Sequence, residues 1–124
     1  MIEIKDNPQN GSGFDVVHTL EGWKVVFITS APQYGELKEF KRHLLTDEVF
    51  TLIDGEATIY TLEEETLVTT KMAKGKLYSV GKGTWHHVQV SKDALLLVVE
   101  NSNTNKDNTE KREFVLGNEK ENTI

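Results

Sequence analysis

Three side chains of metal-ligating type stand at a telling spacing. Four residues separate His43 from Glu48, and His86 follows further along the chain. Imidazole nitrogens and carboxylate oxygens are donors that a zinc-like ion takes at about 2.0–2.2 Å. Two histidines and one carboxylate leave coordination positions open for water or substrate, as Lewis-acid or oxygen chemistry requires. Such a set suits a divalent ion of zinc, iron, manganese or nickel without choosing among them. Lys41, two residues before His43, is the one evident acid/base candidate beside this group. A lysine there can hold an anionic substrate, or act as a base if a neighbouring cation lowers its pKa. It would also repel a bound metal ion. A plainer reading pairs Lys41 with Glu48 and leaves His43 and His86 as hydrogen-bonded residues of a polar lumen.

Convergence of the three demands particular elements. If 44–47 is a four-residue hairpin connection, His43 and Glu48 are opposed with Cβ atoms about 5 Å apart, and Lys41 and Phe50 form the next pair. A connection that turns a corner between two sheets also lets both side chains face one lumen. In an extended Trp85 to Val90, His86 shares a face with Val88 and Val90, whereas His87 shares one with Trp85 and Gln89. His86 is therefore expected inside and His87 outside.

The chain around these residues reads as short strands. Runs rich in Val, Ile, Thr and aromatics cover 23–29, 37–43, 49–53, 57–62, 67–71, 77–80, 85–90 and 94–100, with Gly, Asp-Gly and Lys-Asp turns between them. Spacings of roughly ten residues without a long 3.6-residue period indicate an all-β sandwich or barrel. The run Ala94 to Val99 does not alternate, so its strand is expected to be buried on both sides. Residues 1–14 are expected to be an N-terminal arm or first short strand, 15–116 the barrel, and 117–124 a flexible C-terminal tail. Within this frame 101–113 reads as an exposed polar loop and 114–116 as a last strand. Trp23 and Trp85 are read as packing residues, and Glu63-Glu64-Glu65 as a solvated hairpin tip.

Composition excludes several function classes. One domain accounts for 124 residues. Twenty acidic against fourteen basic side chains give a net charge of −6, unfavourable for a phosphate backbone, so no nucleic acid partner is expected. With no cysteine, neither a disulfide framework nor a thiolate site exists. No apolar run is long enough to span a bilayer, and the N-terminus lacks an export signal, so no membrane association and a cytoplasmic location are expected.

The two stretches together resemble the motifs of the cupin superfamily. The first motif, G-x5-H-x-H-x3,4-E-x6-G, matches at His43, Glu48 and Gly55, with Gly35 only approximately placed. The second, G-x5-P-x-G-x2-H-x3-N, matches from Gly75 through Gly81-Lys82-Gly83-Thr84-Trp85-His86. Lys41 stands at the first motif histidine, Gly81 at the proline and Val90 at the asparagine. The resemblance implies a small antiparallel jelly-roll β-barrel, with a usual four-ligand metal set reduced to His43, Glu48 and His86. It further implies a homodimer and a small-molecule ligand or substrate. The expected activity is metal-dependent isomerisation, oxygenation or hydrolysis of a small polar or anionic molecule, with Lys41 as the catalytic candidate. A non-catalytic binding or storage barrel, or a structural dimer with a vestigial pocket, are the alternatives.

Overall fold

Alternating side chains give each strand one inner and one outer face, and two sheets bury their inner faces against each other. The structure is a computed structural model describing residues 1–8, 11–115 and 120–123. Its strands are β1 (Phe14–Leu20), β2 (Trp23–Thr29), β3 (Glu39–His43), β4 (Glu48–Asp54), β5 (Ala57–Glu63), β6 (Thr66–Lys71), β7 (Leu77–Val80), β8 (His86–Val90), β9 (Leu95–Glu100), β10 (Thr109–Glu113) and β11 (Lys120–Thr123). One sheet has the order β1-β2-β9-β4-β7, the other β10-β3-β8-β5-β6-β11. All neighbours are antiparallel except β11, which runs parallel to β6. Only two short 3-10 turns, Pro32–Tyr34 and Lys106–Asn108, interrupt the β-structure of the described residues. This is an all-β jelly-roll barrel: the strand spacing predicts the all-β class, and the resemblance implies the jelly roll.

The core lies between the sheets. Val26, Ile28, Phe50, Leu52, Leu96 and Val98 come from the five-stranded sheet, and Ala57, Ile59 and Val88 from the other. Strand β9 sits between β2 and β4; Leu96 and Val98 are fully buried, whereas Leu97 and Val99 on its outer face are half-buried. A second cluster, Phe40, Leu62 and Leu67 with Trp85, Tyr60 and Phe114 against it, covers the outer face of the six-stranded sheet.

Several expectations need correction. Strand β1, which begins where the expected arm or first short strand ends and precedes the first strand-like run at 23, forms an edge whose exposed polar residues hide its periodicity. The segment 101–113 is not wholly a loop: 109–113 form β10, paired along its length with β3. Charged side chains suit an edge strand, because they discourage further pairing, and they remove the apolar signal a sequence reading needs. Phe114 and Val115 lie beyond it and are not strand, and Leu116 is outside the described residues. Within the expected tail, 120–123 form β11, and the rest of 117–124 is outside the described residues.

The link 44–47 is a corner between sheets, not a hairpin: β3 and β4 belong to different sheets. Lys41 opposes His86 rather than Phe50. The next turn, at Gly55, depends on having no side chain. Its φ is +74°, and a Cβ there would stand 2.6 Å from the Ala94 backbone. Gly55→Ala should therefore destabilise the fold by about 2 kcal/mol or more in urea unfolding. Gly75→Ala, at a φ of +82° with nothing within 4 Å, should show only the left-handed backbone penalty of about 1 kcal/mol.

Candidate metal centre

The inner rows of the barrel turn polar at one end. In β4 the inward series Leu52, Phe50 ends on Glu48, and in β9 Leu96, Val98 ends on Glu100. From the facing sheet, β8 contributes His86 beyond Val88, and β3 contributes His43 at the corner. Corner geometry, not hairpin pairing, brings His43 to Glu48. His43 Nε2 lies 3.4 Å and His86 Nε2 2.9 Å from the same Glu48 oxygen, Oε1. The three side chains are 13%, 8% and 6% exposed for His43, His86 and Glu48 respectively. One ligand atom from each lies within 4.8 Å of the others, so the group could hold a metal ion.

Each imidazole is held from its far nitrogen. His86 Nδ1 is 2.9 Å from the Thr84 carbonyl, which can only accept, so Nδ1 carries the proton. His43 Nδ1 is 2.9 Å from Thr109 Oγ1. Metal-binding histidines are oriented in this way, with the second nitrogen bonded to a neighbouring group. In the neutral His86 tautomer Nε2 therefore turns a lone pair toward Glu48 Oε1, a buried oxygen whose partners among the described residues are these two imidazoles. Two lone pairs at 2.9 Å require a cation between them, either a proton or a metal ion. Donors about 2.1 Å from a shared ion stand roughly 3.0–3.4 Å apart at angles of 90–109°. The observed 2.9 and 3.4 Å fit.

Without metal, protons fill this role. Burial alone would raise the Glu48 carboxyl, but hydrogen bonds and charge from His43 and His86 outweigh it and bring it down to about 2. Burial would lower His86, yet the Glu48 hydrogen bond and charge raise it above its ordinary value. Glu100, one step beyond the Val49–Val99 pair and so on the Glu48 side of β9, is the register partner of Lys24 on the other flank, whose Nζ lies 3.7 Å from Glu100 Oε1. Burial and the Glu48 charge push its carboxyl up to about 8, against the pull of Lys24. Burial, Glu48 and Glu100 likewise raise the Tyr34 phenol.

The sign of the pH dependence follows from linkage. The lowered Glu48 contributes stability present above 4.5 and lost as pH falls toward 2. The raised Glu100 contributes stability present below 4.5 and lost as pH climbs to about 8. The raised His86 does the same above 6.5. Metal-free protein should thus have its highest urea midpoint near about pH 5, declining on both sides.

The remaining expectations are placed as follows. Lys41 lies on the same sheet face, with its Cα partnered to His86, but its side chain is exposed. Among the described residues it has no ion pair, so the Lys41–Glu48 bridge is absent. His87 faces outward, its Nε2 2.7 Å from the Gly35 carbonyl and its ring stacked on Tyr60. Trp85 packs beneath the Arg42 guanidinium at 4.4 Å, and Trp23 remains 39% exposed beside His18. Thr109 and Glu100 were missed. Thr109 was hidden in a stretch read as loop; Glu100 ends an apolar strand, and its inward parity with Leu96 and Val98 was the available signal. Two surface hollows, one between the N-terminal arm and β1–β2 and one near Asp54 and Lys92, do not touch the triad.

Solved structures of similar shape share the fold. Pac13 of Streptomyces, a nucleoside dehydratase, matches in a tyrosine-to-phenylalanine variant with uridine at a TM-score of 0.65 and 16% identity, over 93% of this chain and 94% of that one. Oxalate decarboxylase from Bacillus subtilis matches at 0.59 and 22%, over 73% of this chain but 24% of that one. A cupin-2 domain protein from Shewanella frigidimarina matches at 0.55 and 18%, over 77% and 84%. The chain has the cupin fold. At these identities the likeness is one of fold. No family model and no curated protein matches the chain by sequence. No helix among its described residues is long and apolar enough to cross a membrane.

Proposed function

We propose that this cupin binds a divalent metal ion through His43, Glu48 and His86 and acts as a metal-dependent enzyme on a small polar or anionic molecule. One observation carries the reading: two imidazole nitrogens converge at 2.9 and 3.4 Å on one buried Glu48 oxygen, with the His86 ring held through its Nδ1–H. When bound, the ion supplies Lewis acidity and open positions for substrate or water. The chain's own contribution is orientation. Thr84 and Thr109 hold the rings, Phe50 packs near the His86 ring at 6.4 Å, and burial keeps bulk water from the Glu48 carboxylate. Lys41 is proposed to meet substrate from the exposed rim beside His86. Similar folds that act on a nucleoside or on oxalate support a small polar substrate, while isomerisation, oxygenation and hydrolysis remain the candidate reactions.

Elemental analysis of untagged protein purified without chelator tests the reading. About one ion per chain is expected, before or after incubation with Fe(II), Zn(II), Mn(II) or Ni(II). Protein that takes up none of the four refutes it, and the fold is then a metal-free ligand-binding barrel.

A further inference from the structure

The ribbon formed by β3 and β10 sorts its basic residues by face. On the outer face Arg42 pairs with Glu110 and Arg112 with Glu65. On the other face, shared with His43, the paired positions are Thr109–His43, Lys111–Lys41 and Glu113–Glu39. Lys41 and Lys111 are thus directly opposed and exposed. Among the described residues neither is within ion-pair distance of a carboxylate, the opposed Glu39 and Glu113 one step further along included. Like charges directly opposite each other destabilise a strand pair. In a chain of net charge −6, a positive couple with no ion-pair partner among the described residues stands out.

Its position is equally specific. Lys41 is the register partner of His86, and both lysines lie two residues from the His43–Thr109 pair, about 7 Å along the strands. A small anion held there reaches the triad without leaving the face. We propose that Lys41 and Lys111 together form the subsite for the anionic group of the substrate, so that the site takes a small molecule bearing a phosphate or carboxylate. The proposal rests on the metal reading only for what the other end of that molecule meets. The anion contact itself is measurable without metal.

The test is an amide-shift NMR titration of the full chain after chelator treatment, with inorganic phosphate in one arm and malonate in the other, at constant ionic strength. Saturable shifts centred on β3 and β10 are expected, and the tighter arm identifies the anion class. Lys41→Gln and Lys111→Gln should each weaken binding about fivefold and the double variant more, with Lys92→Gln at the far end of β8 leaving it unchanged. Shifts scattered over the surface, no saturation in either arm, or a double variant that binds like the parent would overturn the subsite. The parent's metal content, measured separately, decides the metal reading by itself, so either can fail while the other stands.

Discussion

Glu48→Gln should weaken metal binding by more than about a hundredfold, since loss of an outer-shell partner alone costs ten- to a hundredfold and, among the described residues, Glu48 is the carboxylate paired with both imidazoles. The amide keeps the size of the side chain but removes the charge that draws a cation between His43 and His86. Competition with a coloured chelator reads the affinity directly. Affinity within threefold of the parent would mean that any bound ion sits elsewhere. The parent should also lose affinity as pH falls, because the proton held by His86, raised above its ordinary value by Glu48, occupies the ligand lone pair. The glutamine variant should shift that profile toward lower pH, because the charge that holds the proton is gone.

Phe50→Ala is expected to cost about 3–5 kcal/mol of stability, the usual range for emptying a buried aromatic site. Phe50 is 1% exposed at the centre of the inter-sheet core, and against a typical total of about 5–15 kcal/mol the loss threatens folding at ordinary temperatures. A drop of roughly 10–20 °C in the melting temperature should follow. Phe50 also packs beside the His86 ring, so the variant should bind metal more weakly when still folded. Phe50→Leu fills most of the volume and should recover most of both properties. A melting temperature within about 3 °C of the parent in Phe50→Ala would show that this region does not carry the core.

What was legible in the sequence follows from where each signal resides. Strands β2, β4, β5 and β9 have one inner row of Val, Ile, Leu and Phe, and burial writes that row into the residue types. His86 is inward because Val88 and Val90 share its parity, which needs no tertiary knowledge. Edge strands carry no such record. β10 is held by register with β3 and by partners such as Glu110 for Arg42, and its composition resembles that of a loop.

Alternation and donor chemistry are local properties, so the all-β class, the inward His86 and the candidate ligands His43, Glu48 and His86 can be read from residue types alone. Only the tertiary structure decided that 44–47 turns a corner between sheets, that one Glu48 oxygen receives both imidazoles, and that Lys41 faces Lys111 rather than Glu48. These depend on which strands become neighbours, and long-range pairing is a property of the whole core rather than of any segment within it.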